Sequence, residues 1–331
     1  MQGNMTTAPV FLRSMALRSC RPLERRSNYT DIDQFRGPGR DANSQSAGQR
    51  KVGPLHSVMS NPVHSKAQGY DSFYKEFDST LMRQIRREAY GEDIGQHSWV
   101  TAEELRANVS RLQLARSSRF LDLGCGPCGP LTHICCLVGC RGTGTDLSAA
   151  ARAAGLRRAA SLGVDDLIEL HEADLDQPVP FATGSFDAVM SLDVVLHLHD
   201  RAQLFLEVAR ILAVGGRFLF TDAGVITGSI SDQEVLRRSV HGYTQFVAPG
   251  FNERMLESAG LRLLGTEDRT DSTLKNASGR LAAILAYRMY LEQLTSADDF
   301  DRQKQYLETV VELSRRGALS RIMYLAESRA S

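Results

Sequence analysis

The sequence lacks a long apolar run. Its longest nearly unbroken apolar stretch, near residues 131–140, has about ten residues, whereas a helix that spans a bilayer needs roughly 20. It also lacks the apolar core of a signal peptide, so we expect a cytoplasmic protein. An organellar transit peptide is the alternative, because the first 23 residues hold arginines but no acidic residue. With 42% hydrophobic and 24% charged residues, the composition is typical of a soluble globular protein.

The sequence has no excess charge of either sign, since 39 basic side chains balance 39 acidic ones. Residues 1–66 carry ten Lys or Arg and four Asp or Glu, which leaves residues 67–331 with a net charge near −6. Nucleic-acid affinity comes mainly from clustered cations that release counterions. We therefore expect a small-molecule partner and neither a nucleic acid nor a membrane. Both a monomer and a homodimer stay open.

Cysteine is scarce outside one region, residues 125–140, which holds five of the six. Without a signal peptide, the cysteines are expected to be reduced thiols. A zinc site is not expected. Cys125 and Cys128 lie in a glycine-rich loop, where a metal would block a ligand, and Cys135 and Cys136 fall on a helix predicted to be buried.

Residues 1–66 show no sustained apolar periodicity and are rich in Arg, Ser, Gln, Asn and Gly, which predicts a disordered extension. A misassigned start, with translation beginning at Met59, is the alternative. From Tyr70 onward, apolar residues recur every four positions and predict one amphipathic helix through Phe73, Phe77, Leu81 and Ile85. A second helix is predicted to begin at Thr101, where Glu104 would close a capping box.

Strands and helices alternate after residue 117, which is typical of a parallel sheet with helices on both faces. The predicted strands are 118–123, 142–145, 167–171, 186–192, 217–221 and 261–265. The predicted helices are 129–138, 148–161, 202–212 and 253–258. Residues 273–316 have helical periodicity, and 319–325 predict a last strand. We expect the helical insert, 272–317, to be a lid over the ligand, with a dimer surface as the alternative.

A glycine-rich loop follows the first predicted strand. Gly124, Gly126 and Gly129 match the spacing GxGxxG, and Asp146 ends the next strand, where it would bind ribose hydroxyls. This spacing alone does not separate a dinucleotide from another adenosine ligand. Asp122 favours a cation, because a carboxylate at the strand tip would repel a pyrophosphate. S-adenosylmethionine carries a sulfonium and an amino group and no phosphate, so an acidic residue at the strand tip suits this ligand.

The segment Phe120-Leu121-Asp122-Leu123-Gly124-Cys125-Gly126 resembles the first motif of class I S-adenosylmethionine-dependent methyltransferases. Four further elements resemble later motifs of this family in the right order, at residues 145–148, 173–175, 186–189 and 211–217. The last departs from the family pattern, with Ala213-Val214 where Lys-Pro is usual. The resemblance implies a Rossmann-like α/β domain over residues 67–331. Its seven-stranded sheet has N-terminal helices and a helical insert before an antiparallel last strand.

The same resemblance implies a set of residues that bind S-adenosyl-L-methionine. The methionyl part would lie on Asp122 and the glycine loop, the ribose on Asp146 and Leu147, and the adenine on Asp174 and Leu175. The full predicted set is Asp122, Gly124, Gly126, Gly129, Asp146, Leu147, Asp174, Leu175, Leu192 and Gln96. Gln96 belongs to residues 90–96, which resemble a segment that closes over the cofactor in related enzymes.

The methyl acceptor is expected to need a general base, because an amine or hydroxyl must present a lone pair to the methyl group. Residues 191–201 resemble the segment Ser-x-Asp-x-x-x-His-x-x-Asp-Lys/Arg of phosphoethanolamine and sarcosine/dimethylglycine N-methyltransferases. This resemblance implies that His197 is the base, with Tyr70 or Tyr74 as its partner. The alternatives are that His197 positions its loop or holds Asp193, and that both tyrosines are packed aromatics.

Several other functions are left open by the sequence. An NAD(P)-dependent oxidoreductase could use the same glycine loop, and a scaffold could bind the cofactor without chemistry. His199 is expected to be solvated at a helix start. Residues 237–243, which begin with Arg237 and Arg238, would either contact an acidic acceptor or form a surface helix.

Overall fold

The computed structural model describes residues 70–71, 74–239 and 243–329. The predicted extension 1–66, Met59 and Phe73 lie outside these residues. None of the described helices is long and apolar enough to cross a bilayer.

Helices and strands alternate along the described chain. The helices are α1 (Thr80–Tyr90), α2 (Ala102–Arg111), α3 (Gly129–Val138), α4 (Ala149–Leu162), α5 (Arg201–Ile211), α6 (Asp232–Arg238), α7 (Phe251–Ser258), α8 (Thr270–Ala286), α9 (Arg288–Leu294) and α10 (Ala297–Arg315). The strands are β1 (Arg119–Leu123), β2 (Arg141–Asp146), β3 (Ile168–Glu172), β4 (Phe186–Leu192), β5 (Leu212–Ile226), β6 (Leu261–Asp268) and β7 (Leu319–Ser328). The predicted bounds of β1–β4 and α3–α5 are confirmed to within one residue.

The seven described strands form one sheet in the order β3-β2-β1-β4-β5-β7-β6. Strands β1–β5 are parallel, and β7 runs antiparallel to both of its neighbours, β5 and β6. The predicted α/β class and the antiparallel last strand are confirmed. The strand order reverses between β1 and β4, and in such sheets ligands bind at the carboxyl ends of the strands beside that reversal.

Both faces of the sheet are covered by helices. Successive side chains of a strand point to opposite faces, so two neighbouring residues of β1 belong to different buried clusters. Phe120 packs in one buried cluster with Leu105 of α2 and Leu131 of α3. Its neighbour Leu121 packs in a second cluster, with Phe205 of α5. A third cluster joins α1 to α8 and α10 and so fastens the helical insert to the first helix.

Two local predictions for the N-terminal helices need correction. The single helix predicted from Tyr70 is interrupted by turns at 75–78, and α1 begins at Thr80 because the side chain of Ser79 caps it. The capping box at Thr101 is half formed. Thr101 accepts a hydrogen bond from the backbone of Glu104, but the Glu104 carboxylate pairs with Arg321 instead of closing the box.

The cysteine prediction is also wrong in one place. Cys125, Cys128, Cys135 and Cys140 are buried free thiols, as predicted, whereas Cys136 is disulfide-bonded. Among the described residues, no group of three or more His, Cys, Asp or Glu side chains is placed to hold a metal ion.

A buried network fixes the carboxyl end of β4. Asp193 follows this strand with a φ of 58°, and its carboxylate accepts hydrogen bonds from the Thr221 hydroxyl (2.7 Å), Arg321 Nε (2.8 Å) and the backbone amide of Trp99 (2.8 Å). Arg321 also pairs with Glu104 of α2 at 2.9 Å. The network therefore joins β4, β5 and β7 to α2 and to the described residues before α2, which we call the N-terminal segment.

We expect Arg321→Met to lower the free energy of unfolding by about 3–5 kcal/mol, because it leaves two buried carboxylates without their cation. Arg262→Met is the matched control. Arg262 also lies on a strand and pairs with Glu327, but its side chain is 55% exposed, so its loss is expected to cost about 0–1 kcal/mol. Urea unfolding of both variants measures the difference. Equal losses would show that the network does not stabilise the fold.

Candidate active site

A cavity opens at the carboxyl ends of the parallel strands, beside the reversal of strand order. The loops after β1, β2, β3 and β4 form its floor, and residues of the N-terminal segment, α6, α8 and α10 form its walls. The lining residues include Tyr70, Tyr74, His97, Ser98, Trp99, Asp122, Gly124, Gly126, Asp146, Leu147, Asp174, Leu175, Leu192, His197, Arg238, Arg280 and Tyr306. The sheet thus brings residues from distant parts of the sequence into one site.

The glycine loop is shaped for close approach to the backbone. Gly124 and Gly126 have φ angles of 71° and 53°, which favour glycine. A Cβ on Gly124 would lie 2.6 Å from Val194, and a Cβ on Gly126 would lie 3.2 Å from the hydroxyl of Tyr74. The amide of Gly126 donates to Asp146 at 2.8 Å and pins the loop to the end of β2.

Two carboxyl groups line the cavity beside this loop, that of the buried Asp122 and that of the half-buried Asp146. Burial, together with the neighbouring carboxylate of Asp146, raises the pKa of Asp122 well above its usual value. Burial also raises the pKa of Asp146, although backbone amides of Ser148 and Gly126 oppose this effect. A cationic ligand would relieve the unfavourable burial of both groups.

An apolar slot continues from these carboxyl groups. Leu147, Leu175 and Leu192 line it, and Asp174 stands at its edge, where it accepts a hydrogen bond from the amide of Asp176 at 3.1 Å. The slot and the two acids, Asp122 and Asp146, fit an adenosine ligand with a positive charge, which is the chemistry of S-adenosylmethionine.

Gly129 and Gln96 lie outside the cavity lining. A Cβ on Gly129 would lie 2.2 Å from the carbonyl oxygen of Gly95, so this glycine permits contact between α3 and the N-terminal segment. The Gln96 side chain accepts from the amide of Ile94 at 3.0 Å and donates to the carbonyl of Glu92 at 3.2 Å. Both residues support the cavity wall.

His197 lies in the cavity on the one-turn helix Val195–His197 that follows β4. Its Nδ1 is 3.2 Å from the carbonyl oxygen of Tyr243, which can only accept, so Nδ1 carries the proton. In the neutral ring, Nε2 then carries the lone pair. His199 is exposed, 2.9 Å from Asp176, and precedes α5 as predicted.

Both predicted tyrosines line the cavity. The Tyr74 hydroxyl lies 3.1 Å from Nδ1 of His97. Burial raises the pKa of Tyr70 to about 12 and that of Tyr74 well above its usual value. Both are therefore neutral phenols near neutral pH, suited to donating hydrogen bonds and not to removing protons.

Sequence reasoning missed several lining residues, among them His97, Trp99, Arg280 and Tyr306. Arg280 could have been found from the spacing of the buried face of α8, where Thr273, Asn276 and Ala277 precede it at helical intervals. The helix α6 exposes Arg237 at the surface and buries Arg238 at the cavity, and the contact with an acidic acceptor stays a prediction.

Comparison with known proteins supports this chemistry. Residues 121–220 match the family model of a methyltransferase domain. The sarcosine/dimethylglycine N-methyltransferase of Halorhodospira halochloris is 32% identical over 238 residues, which cover 69% of this chain and 81% of that protein. The 27-O-demethylrifamycin SV methyltransferase of Amycolatopsis mediterranei is 27% identical over 228 residues, which cover 65% of this chain and 80% of that protein.

A solved structure has the same fold. The phosphoethanolamine N-methyltransferase 2 of Haemonchus contortus, in complex with phosphomonomethylethanolamine and S-adenosylhomocysteine, has a TM-score of 0.67 at 20% identity, covering 80% of this chain and 60% of that one. The fold, the matched domain and the similarity to the Halorhodospira enzyme lead to one conclusion. The chain belongs to the class I S-adenosylmethionine-dependent methyltransferases, enzymes that transfer a methyl group from this cofactor to an acceptor.

Proposed function

We propose that this enzyme methylates an amine or hydroxyl group of a small molecule and that His197 is its general base. The observation that carries the proposal is the position of His197, which lines the same cavity as the glycine loop and has its Nδ1 hydrogen-bonded to the carbonyl of Tyr243. This bond orients the ring and leaves Nε2 as the basic atom. The related enzymes named above include both N- and O-methyltransferases, so either acceptor atom is consistent with them.

The cofactor would lie across the carboxyl ends of β1, β2, β3 and β4. When bound, S-adenosylmethionine supplies an electrophilic methyl group on a sulfonium. Asp122 and the backbone of Gly124 and Gly126 would hold the methionyl part. Asp146 and Leu147 would hold the ribose, and the slot described above, with Asp174 at its edge, would hold the adenine.

The residues of the chain would then position the acceptor and move one proton. His197 Nε2 would accept the proton of the acceptor amine or hydroxyl when the nitrogen or oxygen of that group uses its lone pair to bond the methyl carbon. The neutral phenol of Tyr70 donates a hydrogen bond that helps to hold the acceptor in line with the methyl group, since such alignment lowers much of the barrier. Tyr74 closes the site above Gly126 and limits the access of water.

We extend the proposal to the rest of the molecule. Residues 67–331 form one methyltransferase domain, and the insert 272–317 acts as a lid, an arrangement supported by Arg280 and Tyr306, which reach the cavity from this insert. The enzyme works in the cytoplasm as a monomer or homodimer, and its acceptor is not a nucleic acid. The net charge of residues 67–331 supports the last point.

Neither alternative function, an NAD(P)-dependent oxidoreductase or a cofactor-binding scaffold without chemistry, is favoured. The comparisons give no support to an NAD(P)-dependent oxidoreductase. A scaffold without chemistry has no need of a histidine in the cavity, so the location of His197 favours an enzyme.

Calorimetric titration of the full chain tests the cofactor. We expect S-adenosylmethionine to bind with micromolar affinity, with no binding of NAD or NADP. Asp146→Ala should lose this binding, because it removes both the ribose acceptor and the partner of the Gly126 amide. Asp187→Ala, which removes an exposed carboxylate on β4, is the control and should bind normally. Binding of a dinucleotide would contradict the assignment.

Cofactor binding is also expected to depend on pH. The pKa of Asp122 is raised, so a large fraction of this carboxyl is neutral at acidic pH and cannot attract a cation. Affinity for S-adenosylmethionine should therefore fall as the pH drops below this raised pKa, and binding there should release a proton. Calorimetry in buffers of different ionisation enthalpy measures the release. Asp122→Asn should bind more weakly and release fewer protons, and equal release by both proteins would exclude this role.

The base is tested by His197→Asn. We expect kcat to fall about 10²–10⁴-fold, because general-base catalysis typically contributes this factor. Cofactor affinity should stay unchanged, since the side chain is assigned to the acceptor. His199→Asn removes an exposed histidine two positions away and should retain activity. Transfer of labelled methyl to a panel of amines and alcohols supplies the assay, and an unchanged kcat in His197→Asn would remove His197 from the mechanism.

A further inference from the structure

The part of the cavity wall that α6 and α8 form is basic. Arg238 of α6 is only 3% exposed, and Arg280 of α8 is half-buried, and both line the cavity. Within residues 70–71, 74–239 and 243–329, neither guanidinium forms an ion pair with a carboxylate. The other three buried arginines that the structure describes each form such a pair, Arg86 with Asp93 at 2.9 Å, Arg201 with Asp222 at 2.7 Å and Arg321 with Asp193 at 2.8 Å. Among these residues, Arg238 is therefore buried without the counter-charge that the other buried arginines have.

Aromatic rings hold these two arginines in place. The guanidinium of Arg280 lies 5.1 Å from the ring centre of Trp99, and that of Arg238 lies 5.2 Å from the ring centre of Tyr306. The two rings stack on each other at 6.4 Å with an interplanar angle of 26°. The four side chains thus form a ladder of guanidinium, indole, phenol and guanidinium, and we call it the arginine ladder.

The hydrogen bond that Arg238 makes within the ladder goes to a neutral group. Arg238 Nη1 donates to the Tyr306 hydroxyl at 3.1 Å. The Nε of Arg238 is buried and has no partner among the described residues. A buried cation with an unsatisfied donor is costly unless a charged ligand compensates it. Guanidinium donors match the oxygens of carboxylates and phosphates.

We propose that the arginine ladder is the acceptor-binding subsite and that the acceptor carries an oxyanion, a carboxylate or a phosphate monoester, which binds Arg238 and Arg280. This inference rests on the proposed function and deepens it by naming the class of acceptor. The cavity then holds two opposite charges apart, with the cationic cofactor on the aspartates and the anionic group of the acceptor on the arginines. The nucleophilic atom of the acceptor lies between them, within the cavity that His197 lines.

The fluorescence of Trp99 reports ligand binding at the arginine ladder, because Trp99 is the single tryptophan of the chain and belongs to the ladder. Its fluorescence is titrated in enzyme saturated with S-adenosylhomocysteine, using matched ligands with and without the anion. The pairs are phosphoethanolamine with ethanolamine, and N-methylglycine with its amide. At least one anionic member is expected to bind at least tenfold more tightly than its neutral partner, and the pair that shows this separates phosphate from carboxylate.

Arg238→Gln is expected to weaken binding of the anionic ligand about 10–100-fold and to leave the neutral ligand unchanged. Arg237→Gln removes the same charge from the adjacent, exposed position and should have no effect. Where circular dichroism shows that Arg238→Gln does not fold, Arg280→Gln and Arg238→Lys take its place, with loss of the same selectivity expected. The KM for the acceptor should rise more than kcat falls.

Equal affinity for the charged and neutral members of both pairs, or equal effects of Arg237→Gln and Arg238→Gln, would overturn the anion subsite. Calorimetry separates this outcome from failure of the proposed function. Wild-type enzyme that binds S-adenosylmethionine but shows no preference for anions refutes the ladder alone. Wild-type enzyme that does not bind S-adenosylmethionine refutes the assigned cofactor site.

Discussion

The carboxylate of Asp193 is the point on which the site depends. It lies where β4 ends, and it is held by a hydroxyl of β5, a guanidinium of β7 and a backbone amide of the N-terminal segment. His197 comes four residues later, and Trp99 donates the amide. One buried network therefore sets the position of the candidate base and of the arginine ladder at the same time. Because Arg321 is fully buried between two carboxylates, this geometry is maintained by desolvated charges, and such charges interact strongly only in one arrangement.

The cavity is electrically polarised. Asp122 and Asp146 line it where β1 and β2 end, while Arg238 and Arg280 line it from α6 and α8. The aspartates are poorly solvated, so they favour a cation, and the arginines lack carboxylate partners among the described residues, so they favour an anion. This separation orients two different ligands in one cavity without steric exclusion. It also explains how one fold can serve different acceptors, because the cofactor end is built by the sheet and the acceptor end by helices added around it.

Much of the sheet could be predicted from the sequence because its signals are local. Gly139 ends α3 and Gly163 ends α4, both with a positive φ, and the predicted bounds of these helices are confirmed within one residue. The glycine loop and the acids at the carboxyl ends of β1, β2 and β3 follow from the same local pattern. The contacts of Glu104 and Gly129 could not be predicted in this way. Glu104 pairs with a residue 217 positions away, and Gly129 packs against a segment that precedes β1.

The sequence by itself determined the α/β class, the cofactor loop, the acidic strand ends and the position of His197 beside β4, because each depends on residues that are neighbours in the chain. Only the tertiary structure decided which side chains form the acceptor end. Trp99, Arg238, Arg280 and Tyr306 come from four separate elements, and they meet because α6, α8 and α10 fold back over the carboxyl ends of the strands. The choice of partner for a buried charge is likewise a tertiary property. Desolvation depends on everything packed around the group. No local pattern distinguishes Arg321, which has two carboxylates, from Arg238, which has an aromatic ring and an Nε without a partner among the described residues.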